Sequence, residues 1–320
     1  MSKNKYSNKG KKLWTKAKKI IPGGNMLLSK RSEMFAPDQW NAYFKKSKNY
    51  NVWALDGKKY TDMFFGVGTN ILGYCNKKID RKVKESIDKG IMTSLNCPEE
   101  VMLAERLIKI NSWANMVKFA RTGGEANAVA VRIARAASGK DNIAICGYHG
   151  WHDWYLAANL AKNNALSDHL LPGLDTFGVP KSLSNTVFPF NFNDFEELKR
   201  IINTKKIGVI KMEVYRNTPP KDGFLNKVRK LATDNNIVLI FDECTSGFRQ
   251  NYGGLFNNYN VTPDIALFSK AIGNGYAISA IVGKKEVMEC AQNSFISSTF
   301  WTERIGYVAA LATLKEMKRM

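Results

Sequence analysis

The sequence predicts an α/β fold in which a mostly parallel central sheet carries helices on both faces. From about Asn115 onward, short apolar runs alternate with segments whose apolar residues recur every three to four positions. Strands that alternate with helices are joined by crossovers, which produce parallel strands buried on both faces. A second observation agrees, since Asp242 and Lys270 each follow an apolar run. Ligands of such sheets bind outside the carboxyl ends of the strands, so this placement predicts a site there.

The predicted strands are the apolar runs at residues 117–120, 142–146, 207–212, 237–241, 265–268 and 278–282. The first predicted helix between them follows the turn Thr122–Gly123–Gly124 and places apolar residues from Ala126 to Ala137 on one face. A loop-rich stretch extends to about Asn193, and further helices are predicted at residues 195–202, 225–235, 285–293 and 305–320.

The first hundred residues follow a different pattern. They contain a basic helix at 9–20, the turn Ile21–Gly24, and a hairpin whose strands, 50–55 and 59–62, flank Asp56–Gly57. We predict that residues 1–65 belong to a small domain and residues 66–300 form the large one. Residues 301–320 end in a helical pattern without a C-terminal cap, so we expect them to begin a C-terminal domain that is largely absent.

Composition indicates a folded globular protein. Of the 320 residues, 44% are hydrophobic and seven are tryptophan, which excludes an intrinsically disordered chain. No apolar run approaches the length of a membrane span, and the N-terminus lacks the pattern of a secretory signal. The five cysteines are scattered and never form a C-x-x-C pair. We therefore predict reduced thiols in a cytoplasmic protein with no zinc site and no membrane partner.

The formal net charge of +20 permits two interpretations. Eight lysines fall within the first nineteen residues, which could form a nucleic-acid-binding patch. Alternatively, they form a solvated surface rich in lysine and asparagine. Only Tyr6 and Trp14 interleave with these lysines, whereas single-stranded nucleic acid needs a series of stacking aromatics. The second interpretation is favoured, and no nucleic-acid partner is expected.

Lys270 lies in the run Ile265–Gly275, where a short apolar strand ends beside small residues. An amine there that can lose its proton can attack a carbonyl and form a Schiff base. Asp242 ends the apolar run upstream; by itself it could be a helix N-cap or a turn residue. Together the two residues predict pyridoxal 5'-phosphate as cofactor, because it requires a Schiff-base lysine and a carboxylate for its ring nitrogen.

Other candidate residues follow the predicted strands. The turn Thr122–Gly123–Gly124 precedes a helix, so its backbone N–H groups could bind a phosphate, although an ordinary turn has the same pattern. Tyr148 could stack on a flat ring. His149 and His152 are three residues apart, but no acidic or thiol ligand lies nearby, so we predict no metal site and leave open two ordinary histidines.

Two further residues lie near the end of a strand. Cys244 follows Asp242 by two positions and would lie on the same side of an extended segment, where it could pack against the cofactor. Glu213 could contact the cofactor ring or a substrate, or could equally be a buried structural acid.

From about residue 15 onward the chain resembles the class III aminotransferases, and most closely their glutamate-1-semialdehyde aminomutase-like branch. Seven stretches carry the resemblance: Ile21–Gly24, Asp56–Asp62, Ile71–Tyr74, Arg121–Ala126, Tyr148–Gly150, Asp242–Arg249 and Ser269–Gly273. The most specific is Asp-Glu-x-x-x-Gly-Phe-Arg followed at this distance by a lysine. The resemblance implies the fold type I architecture of pyridoxal-phosphate-dependent transferases, like that of aspartate aminotransferase, with a smaller and here incomplete second domain.

The resemblance also implies roles for individual residues. Lys270 would hold the cofactor as an imine and shuttle a proton, and Asp242 would pair with the ring nitrogen. Thr299 would reach the phosphate of the neighbouring subunit's cofactor, which implies a homodimer with shared active sites. Tyr148 and Cys244 would pack on the two faces of the ring, and Gly123 and Gly124 would bind the phosphate. The full predicted cofactor-binding set is Thr122, Gly123, Gly124, Tyr148, His149, Glu213, Asp242, Cys244, Lys270 and Thr299.

Three positions depart from the family pattern. Glu213 precedes Val214 where relatives often have Glu-Pro, and Gly124 replaces a threonine or serine that could contact the phosphate. For the substrate-binding arginine of the mutase, Lys30 and Arg31 are the nearest candidates.

The predicted function is amino-group transfer between an amino compound and an oxo acid through the Schiff base of Lys270. The first alternative is the intramolecular transfer of an aminomutase, which uses the same residues. The second is a truncated homologue with impaired or no catalysis.

Overall fold

The computed structural model describes residues 9–37, 39–162, 164–169, 175–215 and 217–320. The chain divides into two compact units, one up to Asp80 and one from Arg81 to Met320. The predicted assignment of residues 1–65, 66–300 and 301–320 to domains stays a prediction.

The first unit contains a small antiparallel sheet of order β1-β2-β3. Its strands are β1 (Phe44–Lys48), β2 (Asn51–Ala54) and β3 (Lys59–Thr61), so the predicted hairpin is confirmed. The predicted basic helix is α1 (Lys9–Ile20), whose Trp14 is buried and donates a hydrogen bond from Nε1 to Glu33 Oε1 at 3.1 Å. A helical turn, α2 (Phe65–Gly68), follows the sheet, and the division between the units falls within α3 (Lys77–Ile87).

The second unit is built on a seven-stranded sheet of order β4-β10-β9-β8-β7-β5-β6. Its strands are β4 (Met116–Ala120), β5 (Asn142–Cys146), β6 (Val187–Pro189), β7 (Ile207–Glu213), β8 (Val238–Glu243), β9 (Ile265–Phe268) and β10 (Ser279–Gly283). All neighbouring pairs are parallel except those of β10, which runs antiparallel to both β4 and β9. The predicted α/β class with a mostly parallel sheet is therefore confirmed.

The helices of the second unit begin with α4 (Pro98–Ile110) and α5 (Gly123–Ser138). The others are α6 (Asp153–Leu156), α7 (Ala158–Ala161), α8 (Phe195–Thr204), α9 (Phe224–Asp234), α10 (Lys285–Met288) and α11 (Arg304–Met317). The apolar face of α5 packs in one buried cluster with residues of the central strands, such as Ile145 and Ile240. No helix in the described ranges is long and apolar enough to cross a bilayer.

Several boundaries differ from the predicted ones. Strand β8 runs from Val238 to Glu243, beyond the predicted end at residue 241, so that Asp242 is a buried residue near the carboxyl end of the strand. The polar pair Asp242–Glu243 extends β8 because both residues take part in its pairing with β9. The predicted helix 285–293 divides into α10 and a 3₁₀ segment, Glu289–Asn293.

Candidate active site

The candidate site lies at the carboxyl ends of the central strands. Asp242 of β8 pairs in register with Glu213 of β7, and His149 follows β5, which is the other neighbour of β7. Lys270 begins a 3₁₀ turn, Lys270–Gly273, shortly after β9 ends. Parallel strand order thus brings together residues that are far apart in the sequence.

Asp242 is a buried carboxylate with three polar neighbours. Its Oδ2 accepts a hydrogen bond from His149 Nδ1 at 2.8 Å, and its Oδ1 accepts one from the Cys244 backbone N–H at 3.0 Å. Lys211 Nζ lies 3.7 Å from Oδ2. Burial alone would raise the pKa of Asp242, but the charge of Lys211 and the hydrogen bond from His149 hold that pKa well below its usual range. Asp242 is therefore an ionised group inside the protein.

His149 is wholly buried between Asp242 and aromatic side chains. Burial lowers the pKa of His149 to about 4, although the hydrogen bond with Asp242 opposes this shift. The imidazole is consequently neutral at neutral pH. An ionised carboxylate can only accept, so the proton of the imidazole lies on Nδ1 and Nε2 is a buried acceptor without a hydrogen-bond partner in the described part of the chain.

Lys270 is partly exposed, and its Nζ donates a hydrogen bond to Thr245 Oγ1 at 2.7 Å. Cys244, next to Thr245, is buried, and burial raises the pKa of its thiol well above the usual range while the charge of Lys270 acts in the opposite direction. The thiol is therefore neutral and presents a small, weakly polar surface.

The Thr122–Gly124 turn forms the N-terminus of α5. Thr122 and Glu125 form a capping box, in which Thr122 Oγ1 accepts from the Glu125 N–H at 3.3 Å and Glu125 Oε2 accepts from the Thr122 N–H at 2.8 Å. The Thr122 hydroxyl thus already caps the helix. A Cβ on Gly123 would stand 3.4 Å from Cys244 Sγ, and one on Gly124 would stand 2.9 Å from His152 Cε1, so side chains here would narrow the space beside Cys244 and displace His152.

Tyr148 and Glu213 lie against one another. The Tyr148 backbone N–H donates to Glu213 Oε2 at 3.0 Å, and the Tyr148 ring is 43% exposed and packs edge-on against Tyr155. The neighbouring Gly147 has φ +112°, and a Cβ there would stand 2.4 Å from Glu213 Oε2. Glu213 therefore supports the loop that carries Tyr148.

Thr299 is exposed at the start of a 3₁₀ segment, Thr299–Thr302. Arg121, which precedes the Thr122–Gly124 turn, holds this segment in place. Its guanidinium donates to the carbonyl oxygens of Phe300 at 2.6 Å, Trp301 at 3.1 Å and Ala277 at 3.3 Å, and also to that of Glu303.

Substituting Arg121 by methionine is expected to lower the free energy of unfolding by about 2–4 kcal/mol, because several carbonyls lose a charged donor. Chemical denaturation measures this loss, and limited proteolysis should find a new cleavage near residues 298–303. Arg132→Met is the matched control, since Arg132 donates a single bond to the same region, to the Phe295 carbonyl at 2.9 Å. Equal stability of the two variants would contradict the fastening role.

Glu243, at the end of β8, is a buried acid beside the site. Ser246 Oγ donates to its Oε2 at 2.5 Å and the Phe256 N–H donates to its Oε1 at 3.0 Å. Burial nevertheless raises the pKa of Glu243 to about 7. Between about pH 4.5 and 7, the Glu243 carboxyl therefore keeps its proton in the native protein, whereas the same carboxyl in the unfolded chain has released it.

A raised carboxyl pKa stabilises the protein at low pH and ceases to do so as the pH rises through the native value. Relative to Glu243→Gln, the wild-type free energy of unfolding should fall by about 3 kcal/mol as the pH rises from about 4.5 to 7. Denaturant titrations at several pH values measure this difference. The control is Glu196→Gln, at an exposed position of α8, whose free energy of unfolding should depend on pH in the same way as that of the wild type. If the pH dependence of Glu243→Gln also matched that of the wild type, Glu243 would be ionised in the native protein.

Three site features were missed by sequence reasoning. Lys211 interrupts the apolar run of β7, and this charged residue within an otherwise apolar strand was a visible signal. Arg121 and Glu125 were noted only as parts of a motif, whereas Glu125 Oε1 also accepts a hydrogen bond from Trp301 Nε1 at 3.2 Å. That contact joins positions distant in sequence, so no local pattern could have indicated it.

The residues present fit a phosphorylated cofactor with a basic ring nitrogen. They supply an ionised buried carboxylate, a partly exposed lysine amine on the turn that follows the neighbouring strand β9, and the N-terminus of a sixteen-residue helix that begins with two glycines. Among the described residues, no group of three or more His, Cys, Asp and Glu side chains is placed to hold a metal ion.

Residues 34–320 match the family described as Aminotransferase class-III. The chain belongs to the class III aminotransferase family. It is 35% identical over 317 residues to 3-aminobutyryl-CoA aminotransferase of Cloacimonas acidaminovorans, covering 96% of this chain and 72% of that protein. It is likewise 35% identical over 318 residues to glutamate-1-semialdehyde 2,1-aminomutase of Methanobrevibacter smithii, again covering 96% and 72% of the two chains.

Solved structures agree on the fold of this class III family member. The FumI protein of Sphingopyxis sp. MTA144, solved in its PLP internal aldimine form, superimposes with a TM-score of 0.87 at 23% identity, over 98% of this chain and 74% of that one. An omega-transaminase from Sphaerobacter thermophilus gives a TM-score of 0.85 at 25% identity, over 96% and 72%. The predicted class III resemblance, the fold of PLP-dependent transaminases, and pyridoxal 5'-phosphate as cofactor are thereby confirmed, and the protein is an enzyme of the transaminase type.

Proposed function

We propose that this enzyme transfers an amino group from an amino compound to an oxo acid, with Lys270 as the reacting amine. One observation carries the proposal: the ionised, buried Asp242 and the partly exposed amine of Lys270 lie at the same edge of the sheet. Pyridoxal phosphate, when bound, withdraws electrons from the carbon that carries the amino group.

The chain's own residues would hold and orient the cofactor. Asp242 would face its ring nitrogen and keep that nitrogen protonated, and His149 would hold the Asp242 carboxylate in place through the 2.8 Å hydrogen bond. The turn Thr122–Gly124 would bind the phosphate with its backbone N–H groups and the positive end of the α5 dipole.

Two side chains would enclose the ring. Tyr148 presents an aromatic face from one loop, and Cys244 presents its neutral thiol beside Gly123. Glu213 would act through the Tyr148 loop, whose backbone it binds.

Lys270 would move the proton at the substrate carbon. Its hydrogen bond to Thr245 Oγ1 restricts the amine to one side of the site before it reacts. Because the amine is partly exposed, it can reach a group bound above the sheet edge.

We further propose a homodimer in which Thr299 contacts the phosphate bound by the other subunit. The exposed position of Thr299 at the start of its 3₁₀ segment supports this arrangement. All five cysteines are free thiols, which supports a reducing, cytoplasmic location.

A panel of amino donors, tested with and without 2-oxoglutarate or pyruvate, examines the proposed reaction. We expect amino-group transfer only when both an amino donor and an oxo acid are present. Turnover of a single substrate without an oxo acid would instead support the intramolecular transfer of an aminomutase, which the 35% identity to glutamate-1-semialdehyde aminomutases favours as the second candidate. Cofactor binding without turnover of any donor would support a catalytically impaired homologue.

A further inference from the structure

Lys211 is a charged residue at a position where an apolar one would be expected. It lies in the interior strand β7, pairs in register with Ile145 of β5 and Ile240 of β8, and is completely buried. Its Nζ has no hydrogen-bond partner in the described part of the chain, and Asp242 Oδ2, at 3.7 Å, is its ion-pair partner.

Stability gives no reason for this lysine. Burying an amine without hydrogen bonds is costly, and replacing a buried ion pair by apolar residues is often neutral or stabilising. A role connected with Asp242, the carboxylate that Lys211 approaches, is therefore the more economical explanation.

The titratable groups around Lys211 limit what it can do. His149 hydrogen-bonds to Asp242 Oδ2, the Cys244 backbone N–H donates to Asp242 Oδ1, and His169 accepts the Gly147 N–H. His149 and Cys244 are neutral because burial lowers the pKa of the imidazole and raises that of the thiol. Glu213, on the same strand, accepts the Tyr148 N–H. The face of α5 over this part of the sheet is formed by small apolar residues such as Ala126 and Ala130.

Asp242 thus carries one negative charge, and more than one positively charged or hydrogen-bonding group approaches it. Lys211 and His149 both approach Oδ2, and under the proposed function a protonated ring nitrogen approaches the same carboxylate. Two cations beside one buried carboxylate repel each other strongly, because the surroundings screen little. Since burial already lowers the pKa of Lys211 and so favours its neutral amine, this lysine is the group that can lose its proton.

We propose that Lys211 is a positioning residue that neutralises Asp242 in the apoenzyme and releases its proton to solvent when the ring nitrogen of the cofactor takes that place. At Lys211 one N–H bond breaks, the ammonium becomes a neutral amine, and its proton enters the buffer. The proton on the ring nitrogen and the bond to Lys270 are common to the wild type and Lys211→Met, so they cancel when the two are compared. The two cations titrate as a coupled pair through Asp242. This inference rests on the proposed contact between Asp242 and the ring nitrogen.

The test is calorimetry of pyridoxal phosphate binding to the apoenzyme at neutral pH, in tertiary-amine buffers that differ in ionisation enthalpy. The wild type should release about one more proton per subunit than Lys211→Met. Lys206→Met, at an exposed position just before β7, is the matched control and should behave like the wild type. Equal proton release by the wild type and Lys211→Met would overturn the proposal.

Two measurements keep the outcome decisive. The ¹⁵N chemical shift of Lys211 Nζ in the wild type should change from that of an ammonium to that of an amine on cofactor binding, which requires no variant; an unchanged shift refutes the proposal. The ¹⁵N shift of the labelled ring nitrogen should move in Asp242→Asn. If it does not move, the assigned role of Asp242 fails; if it moves while Lys211→Met leaves the proton count unchanged, only the Lys211 inference fails.

Discussion

Replacing Lys270 by alanine is expected to reduce amino-group transfer by about 10⁴-fold or more, the upper end of what a positioned proton-transfer group contributes. The loss should be this large because no other lysine follows β9 at this edge of the sheet in the described residues. Steady-state kinetics with a donor and an oxo acid measure the effect.

The fold of Lys270→Ala should remain intact. The side chain is partly exposed and makes one described hydrogen bond, to Thr245, so its removal should change the free energy of unfolding by no more than about 1 kcal/mol. Addition of a small primary amine such as ethylamine should restore part of the activity. Lys206→Ala, an exposed lysine outside the site, should be fully active. Near-normal turnover by Lys270→Ala would eliminate Lys270 as the reacting amine.

Asp242→Asn is expected to have two separate effects. The first is a loss of activity of about 10³-fold or more, because a neutral amide does not stabilise a protonated ring nitrogen. The second is a loss of stability of the apoenzyme of about 3–5 kcal/mol at neutral pH, because Lys211 is left buried beside a neutral amide. The stability loss should shrink as the pH rises, since the unfolded chain binds the lysine proton that the native variant excludes.

The double variant Asp242→Asn/Lys211→Met separates the two effects. We expect it to recover most of the lost stability, as measured by denaturant unfolding, without recovering activity. Asp264→Asn is the matched control: Asp264 is also buried and is paired with Arg229 and Lys284 at 2.8 Å each, away from the site. That variant should lose stability while the folded enzyme keeps its kcat. Recovery of activity by the double variant would show that Asp242 acts only on the fold.

The central strands were predictable because each is a short apolar run, and β5 and β9 have the predicted bounds. Strand β1 was missed because three of its five residues are lysines and its side chains are mostly exposed. Helix α3 was also missed, although Ile79, Val83 and Ile87 recur every four residues among its lysines, and this helical period was a visible signal. In β1, by contrast, pairing with β2 outweighs local propensity.

The site divides in the same way. Lys270 and Asp242 were identifiable since each follows or ends an apolar run and their chemistry is complementary. The contacts that shift the pKa of Asp242 could not be identified from the sequence, because they depend on the order of the strands in the sheet. Lys211 reaches Asp242 only because β7 and β8 are neighbours, and His149 reaches it across β7 from the loop after β5.

The reversed strand β10 has a consequence for synthesis of the chain. Strand β4 lies at the edge of the sheet, and its sole neighbour among the described strands is β10, which pairs Ala120 with Ser279. During translation, the backbone amides of β4 therefore cannot pair with β10 until roughly 160 further residues have been synthesised. Such distant pairing makes folding slow and leaves an open strand exposed to association with other nascent chains. Expression at lower temperature or with chaperones should accordingly raise the yield of folded protein.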